Sequence, residues 1–319
     1  MWRYLGTAVL LVVLTGCGGA SGGGADRTPG GSTPPSSAQP PPLGPVGMAR
    51  TPDGAVWVAY AASDGIARLD AKGRPGRLVH VGDAPLRIAV LDGSLWVTSI
   101  RDGRVTQVDP AAGTVVRSAT VGDQPEGIAV YRRRLFVVQQ ARGALIEVDP
   151  ATGRRLHGWL VGGEPRLVTA GPDALYVGDN AGGRVARVDA ASGRVDRSKA
   201  VCAGVQDLQV AGGTVWAACM TDQKVVGLDP GTLRVTASVA TAGDPDGIDV
   251  GPGGDLVVSG QDGPRLTSVP TDGGKPRLLT VGTTGRLYDE ANDDVLVVGS
   301  TAYLSDYTGN TVSRVRLSP

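Results

Sequence analysis

One pattern recurs seven times along the chain, and this recurrence limits the possible folds more than any other feature. Each copy contains a bulky residue within a short apolar run, and successive markers lie 39, 40, 40, 40, 41 and 46 residues apart. The markers are Trp57, Trp96, Phe136, Tyr176, Trp216, Val257 and Tyr303. A period of about 40 residues is typical of propellers and other repeat arrays.

Each copy holds four short strand patterns separated by turn residues. In the second copy they are RIAV, SLWVTS, RVTQVD and TVVRSATV, and Asp92-Gly93 and Asp102-Gly103 lie between them. Four strands per repeat make one propeller blade, and no segment shows the 3.6-residue period of an amphipathic helix. The sequence therefore predicts an all-β fold over residues 43–319, a seven-bladed β-propeller of four-stranded antiparallel blades.

Three segments carry a resemblance to a known family. The VGDxPxxIAV, LWVxS and VDPxxG segments resemble the YVTN-type repeats of the YncE-like β-propellers, and NHL-repeat proteins are near neighbours. The resemblance covers nearly all of 43–319 and implies the fold. It does not imply an activity, because such propellers include lactonases, lyases, dehydrogenase subunits and binding modules.

The last copy leaves the closure of the ring open, because it stops after its third strand pattern. Residues 36–46 could supply an outermost edge strand, where prolines are tolerated. The alternative is a three-stranded last blade. The longer final spacing also indicates an insertion at 283–294, before the first strand of the seventh copy.

The N-terminus has the features of a lipoprotein signal. Arg3 precedes an apolar run from Leu5 to Leu14, which is too short to span a bilayer and has the length of a signal-peptide core. The run ends in Leu14-Thr15-Gly16-Cys17, which resembles a bacterial lipobox. We expect residues 1–16 to be a signal peptide, and Cys17 to be lipidated and to anchor the protein on the extracytoplasmic side of the cell membrane.

The segment that follows is too poor in apolar residues to form a core. Residues 18–42 are mostly Gly, Ser and Pro, so we interpret 17–42 as a tether that starts at the lipidated cysteine. A flexible chain of this length has a root-mean-square reach of ~25–30 Å. The propeller would be held away from the bilayer.

Residues that recur in every blade are interpreted as structural. The aspartates of the VDPxxG segments lie about 40 residues apart around the ring, so they cannot converge on a metal ion, and we expect them to cap turns. The recurring aromatic residues should pack one blade on the next. His80 and His157, the only two histidines, fall in fourth strands at the rim, so no catalytic residue is assigned.

The cysteines and the charge balance add two expectations. Cys202 and Cys219 lie at the same end of the fifth blade, and an exported protein is in an oxidising compartment, so we expect a disulfide. The formal net charge is zero and there is no long basic run, so we expect no nucleic-acid partner.

The end of the ring that carries the fourth-to-first and second-to-third strand loops is the candidate ligand-binding face, because its residues do not repeat. The candidates are Arg101, Glu126, Gln139, Arg166, Asp179, Asn180, Gln206, Asp246, Asp306 and Tyr307. Mixed arginines and carboxylates at one channel mouth suit a small polar ligand or a protein loop. The alternative is a solvated loop surface whose charges pair with one another.

The leading hypothesis is a membrane-tethered, monomeric binding module without cofactor. The alternative is a metal-dependent lactonase or lyase type of enzyme at the channel mouth, where Glu126, Asn180 and Asp246 could hold a divalent cation. A third possibility is an accessory subunit of an envelope redox or signalling complex.

Overall fold

The computed structural model describes residues 43–261, 265–280 and 294–317. The expected signal peptide at 1–16, the whole of the expected tether at 17–42 and nearly all of the expected insertion at 283–294 lie outside the described residues. Within them, 27 strands and two short 3-10 helices, Ala61–Ser63 and Gln140–Arg142, are present. The described residues contain no helix long and apolar enough to cross a membrane.

The first four blades each contain four antiparallel strands, hydrogen-bonded in chain order. The first blade is β1 (Pro45–Arg50), β2 (Val56–Tyr60), β3 (Gly65–Arg68) and β4 (Val79–His80). The second is β5 (Pro85–Leu91), β6 (Ser94–Ser99), β7 (Arg104–Asp109) and β8 (Thr114–Thr120). The third is β9 (Pro125–Tyr131), β10 (Arg134–Gln139), β11 (Ala144–Val148) and β12 (Arg155–Leu160). The fourth is β13 (Pro165–Ala170), β14 (Leu175–Asp179), β15 (Arg184–Val188) and β16 (Val195–Arg197).

The remaining blades complete the ring, and the prediction of a seven-bladed propeller is confirmed. The fifth blade is β17 (Val205–Ala211), β18 (Thr214–Cys219), β19 (Lys224–Leu228) and β20 (Val235–Ala240). The sixth is β21 (Pro245–Val250), β22 (Leu256–Gly260), β23 (Arg265–Val269) and β24 (Arg277–Thr280). The seventh is β25 (Val295–Val298), β26 (Thr301–Asp306) and β27 (Thr311–Arg316), which pair with one another.

The ring closes by hydrogen bonds between the first and last blades. Pro45 and Val46 belong to β1 of the first blade, so the described part of 36–46 adds no strand to the seventh blade. Asn310 in the loop after β26 accepts hydrogen bonds from the backbone N–H groups of Leu43 and Gly44 at 2.7 and 3.0 Å. Ser305 donates a hydrogen bond to the carbonyl of Val46 at 2.6 Å. The described residues therefore form the three-stranded alternative.

The core lies between neighbouring blades, as the recurring aromatic residues predict. Trp96 of the second blade is 1% exposed and packs in one cluster with Leu135 and Val137 of the third. Phe136 packs in the same way against Val168 of the fourth. Burying one such ring contributes on the order of 4–6 kcal/mol before the entropy of ordering is subtracted. Second strands such as β6 are therefore buried along nearly their whole length, whereas outer strands such as β8 contain only exposed and half-buried residues.

The VDPxxG aspartates cap turns, as expected. Asp149 accepts hydrogen bonds from the backbone N–H of Ala151 at 2.8 Å and from the Thr152 hydroxyl at 2.6 Å. Asp189 accepts the equivalent bonds from Ala191 and Ser192. These turns join third to fourth strands and define one end of the ring, which we call the hairpin face.

Candidate functional site

The opposite end of the ring, which we call the mouth face, carries the loops that join the fourth strand of one blade to the first strand of the next. It also carries the loops between second and third strands, such as 140–143. The described first strands, β1, β5, β9, β13, β17, β21 and β25, line the channel. Side chains at the start of these strands therefore lie around the opening of the channel on the mouth face.

Six first strands share an irregularity at this opening. Pairing between the first and second strands shifts register just after the first residue in β1, β5, β9, β13, β17 and β21. In β9, for example, Pro125 pairs with Gln139 and Ile128 with Val137, so two residues oppose one. Such a bulge re-aims side chains. We call the two residues after the first residue of each of these strands the bulge pair.

The bulge pairs hold most of the polar residues at the mouth of the channel. Successive blades contribute Val46 and Gly47, Leu86 and Arg87, Glu126 and Gly127, Arg166 and Leu167, Gln206 and Asp207, and Asp246 and Gly247. The glycines are needed because the next blade is close: a Cβ on Gly127 would lie 2.6 Å from the carbonyl oxygen of Arg166. The bulge therefore explains both the polar side chains and the glycines between them.

Glu126 and Arg166 form a buried ion pair across two neighbouring blades. Their side chains are 5% and 17% exposed, and the Arg166 Nη1 atom lies 3.9 Å from the Glu126 Oε1 atom. Burial raises the pKa of Glu126, and Arg166 and Arg87 oppose that rise. The Nε atoms of Arg87 and Arg166 are buried and donate no hydrogen bond to any described residue.

Arg87 lies deeper and pairs with the seventh blade. Its Nη1 atom is 3.3 Å from the Oδ2 atom of Asp294, and both side chains are largely buried. The carboxylates of Asp294, Asp207, Glu126 and Asp246 all raise the pKa of Arg87, against the effect of burial. The guanidinium of Arg87 is therefore surrounded by carboxylates from four blades.

Three aspartates join each blade to the next through backbone hydrogen bonds. Asp207 accepts the N–H of Ile248 at 3.2 Å, Asp249 that of Val297 at 2.6 Å, and Asp294 that of Met48 at 3.0 Å. Burial raises the pKa of all three, and Asp294 adds to the rise at Asp207, whose pKa is about 8. These carboxylates satisfy donors on the channel edge of each next blade.

Four of the residues proposed from the sequence meet at the mouth: Glu126, Arg166, Gln206 and Asp246. Asn180 joins them, because its Nδ2 atom donates a hydrogen bond to the Gln206 Oε1 atom at 3.0 Å. Gln206 and Asp246 are 2% and 1% exposed. The carboxylate of Asp246 in the sixth blade adds to the rise in the pKa of Glu126 in the third.

The other candidates have structural contacts. Gln139 is buried and donates to the carbonyl of Val121 at 2.7 Å, and Asp179 accepts the N–H groups of Glu164 and Gly182. Arg101 is exposed and pairs with Asp83 at 3.4 Å. The remaining two lie in or before the last turn of the seventh blade. They are Asp306, which accepts the N–H of Gly309, and Tyr307, which packs beside Val46 and Ala84.

Four charged residues at the channel were missed from the sequence: Arg87, Asp207, Asp249 and Asp294. The available signal was a charged residue inside an otherwise apolar first strand, as in LRIAV and GIDV. Leu86 occupies the position in the second blade that Glu126 occupies in the third, and Arg87 follows it. The bulge brings both residues of the pair to the mouth, so Arg87 is equally relevant.

The metal and histidine expectations concern the same region. Within the described ranges, no group of three or more His, Cys, Asp or Glu side chains is arranged to hold a metal ion. His80 and His157 lie in β4 and β12, both fourth strands, and His157 Nδ1 is 3.0 Å from Glu147 Oε2. The absence of a cofactor remains a prediction.

The expected disulfide is present. Cys202 and Cys219 are bonded, with their Cα atoms 5.9 Å apart. Cys202 lies in the loop that enters β17, and Cys219 is the last residue of β18. The bond therefore fixes the loop that leads to Gln206 and Asp207.

Sequence comparison finds no match to any protein-family model or to any curated protein. The solved structures of similar fold include a lyase, a hydrazine synthase and BamB. A catalytically inactive histidine-to-alanine variant of virginiamycin B lyase from Staphylococcus aureus, with quinupristin, is 14% identical with a TM-score of 0.75 and covers 88% of this chain and 97% of that chain. Hydrazine synthase from Kuenenia stuttgartiensis is 17% identical with a TM-score of 0.74, over 90% and 99% of the two chains. BamB from Moraxella catarrhalis is 19% identical with a TM-score of 0.60, over 86% and 83%. At these identities the likeness concerns the fold alone, and it agrees with the strand order: the chain is a seven-bladed β-propeller.

Proposed function

We propose that this protein is a lipid-anchored, extracytoplasmic binding module that holds a polar ligand or a protein loop at the mouth face. The observation that carries the proposal is the pair Glu126 and Arg166. Both side chains are largely buried at the opening of the channel, yet their contact of 3.9 Å is longer than a charge-assisted hydrogen bond of about 2.7–2.9 Å.

The division between repeating and non-repeating residues supports this proposal. The repeating residues make structural contacts: Asp149 and Asp189 cap turns, and Trp96 packs between blades. The residues that differ between blades meet at the mouth. A fold that maintains its scaffold and varies one face is the usual arrangement of a binding or catalytic site on a propeller.

The histidines favour binding over the chemistry of the similar lyase. A histidine-to-alanine variant of that lyase is catalytically inactive. In this chain both histidines lie in outer strands, and His157 is engaged with Glu147 at the rim. A reaction that depends on a histidine at the channel therefore has no candidate among the two histidines of this chain.

The lipid anchor can be tested directly. We expect Cys17→Ala to abolish incorporation of a fatty-acid analogue and to release the protein from the membrane fraction, because the acyl chains supply the affinity for the bilayer. Cys202→Ala serves as the control, because this cysteine is bonded within the fifth blade. Membrane retention of the Cys17→Ala protein would contradict the anchor.

Ligand binding can be tested without knowing the ligand. A ligand that binds only the folded protein raises the melting temperature. Fractions of envelope extract should therefore raise the Tm of the mature protein, and Arg166→Met should abolish this rise. Arg142→Met is the matched control, because this mouth-face arginine is exposed and pairs with Asp123. An equal rise in both variants, or no rise in the wild type, would contradict the proposal.

A further inference from the structure

The polar groups at the channel differ in how far the fold already uses them. Asp207, Asp249 and Asp294 each accept two or more hydrogen bonds, from their own strand and from the next blade. Asp294 also pairs with Arg87. These groups have structural partners and do not need a ligand.

Glu126 and Arg166 differ from these groups. Glu126 is 4% exposed. Among the described residues its carboxylate accepts no hydrogen bond and interacts only with other charges. The Nε atom of Arg166 is also buried and without a hydrogen bond there. A buried ion pair is costly unless further hydrogen bonds complete it, so this pair is incomplete as it stands.

Two further polar side chains, Gln206 and Asp246, extend this pair along the mouth. The Gln206 Oε1 atom accepts a hydrogen bond from the Asn180 Nδ2 atom. The oxygen of the Gln206 amide is therefore engaged, and its NH2 group is left as a donor. Asp246 is held by Gln261, whose Nε2 atom donates to it at 3.0 Å. The mouth therefore offers donors from Arg166 and Gln206 in the fourth and fifth blades, and an acceptor from Glu126 in the third.

We propose that the mouth binds a compact zwitterion, a free α-amino acid, with its ammonium group at Glu126 and its carboxylate at Arg166 and Gln206. This inference rests on the proposed binding function and adds the ligand class. An α-amino acid carries a cation and an anion two bonds apart, so one ligand supplies what each member of the 3.9 Å pair lacks.

The same geometry predicts selectivity for both charges. A ligand that carries only the carboxylate leaves Glu126 buried without a hydrogen-bond donor. A ligand that carries only the ammonium group leaves Arg166 buried without a hydrogen-bond acceptor. Leaving a buried charged group unpaired costs far more than losing an exposed contact. We therefore expect amino-acid amides and N-acetyl amino acids to bind roughly 10- to 100-fold more weakly than the parent amino acids.

The experiment is calorimetric titration of the mature protein with the twenty α-amino acids, and with the amide and N-acetyl derivative of each amino acid that binds. Glu126→Gln and Arg166→Met should each weaken binding roughly 10- to 100-fold. Asp83→Asn, at an exposed mouth-face carboxylate paired with Arg101, should leave it unchanged. Arg166→Lys keeps the charge and should retain binding better than Arg166→Met, which separates ligand contact from loss of packing.

The outcomes separate this inference from the proposed function. No binding of any amino acid, equal binding of the amides and N-acetyl derivatives, or unchanged binding by Glu126→Gln would overturn the inference. If envelope extract still raises the Tm of the wild type in those cases, the binding function stands and only the ligand class is wrong. If the extract has no effect either, both fail.

Discussion

Charged residues at the channel have two distinct roles at the scale of single residues. Asp207, Asp249 and Asp294 join neighbouring blades, whereas Glu126 and Arg166 are buried without complete hydrogen bonding. The sequence predicted Glu126 and Arg166 because they interrupt a repeat. The aspartates stand out in the sequence only as charged residues beside or within apolar first strands. Their role is not visible there, because their partners are backbone N–H groups of the next blade.

One prediction concerns the protonation of Asp207. Burial raises its pKa to about 8, from 3.8 in the unfolded chain. The folded protein therefore retains a proton that the unfolded chain releases, and the associated stability is lost as the pH rises toward about 8. We expect Asp207→Asn to remove this loss. Between pH 5 and pH 8 the free energy of unfolding should decrease in both proteins, and the decrease in the variant should be smaller than in wild type by at least ~1 kcal/mol.

Urea denaturation at the two pH values measures this difference. Asp83→Asn is the control, because Asp83 is exposed on the same face. An identical fall in stability for wild type and Asp207→Asn would contradict the assignment.

A second prediction concerns the bulge glycine of the third blade. In Gly127→Ala the new Cβ would lie 2.6 Å from the Arg166 carbonyl oxygen and 2.8 Å from the Leu167 Cα atom. Both belong to the backbone of the next blade and cannot rotate away, so we expect a loss of roughly 1–3 kcal/mol in thermal or urea unfolding. Gly253→Ala, where no atom lies within 4 Å of the new Cβ, should change little.

At the scale of elements, the first strand of each blade is both scaffold and site. Its apolar residues pack between blades, and its bulge turns two residues toward the mouth. The alternating and turn patterns predict the strands. They do not predict the bulge, because a register shift depends on pairing with the second strand and on the neighbouring blade.

The disulfide should stabilise the loop that carries the bulge of the fifth blade. Cys202 and Cys219 are 17 residues apart in sequence, and closing a loop of this length is worth roughly 3 kcal/mol in the chain-entropy estimate. We expect the variant with both Cys202→Ala and Cys219→Ala to unfold at lower urea concentration by about that amount. Reducing agent should lower the stability of the wild type and leave that of the double variant unchanged. A double variant as stable as wild type would contradict a stabilising role for the disulfide.

At the scale of the whole molecule, the described residues close the ring without a strand shared between its ends. In the described residues the seventh blade has three strands, and side chains such as Asn310, Ser305 and Asp294 hold the first blade instead. The sequence predicted the number of blades from the period. It left the closure open, because a segment with prolines fits either an edge strand or a connection.

The contacts of Asn310 give a test of this closure. Asn310→Gly removes two hydrogen bonds to Leu43 and Gly44 and tolerates the positive φ of 56° at this residue. We expect a loss of about 1–3 kcal/mol in urea unfolding. Asn310→Asp keeps the acceptor and should lose less, and equal stability of Asn310→Gly and wild type would contradict closure by this residue.

The central claim is that the varied mouth face, and not the repeating hairpin face, binds the ligand. Hydrogen–deuterium exchange of the mature protein, with and without envelope extract, measures this most directly. We predict new protection in peptides over 121–127, 161–167 and 201–207, and none over the hairpin turns 109–113, 149–153 and 189–193. Protection confined to the hairpin turns, or no new protection in either region, would contradict the account.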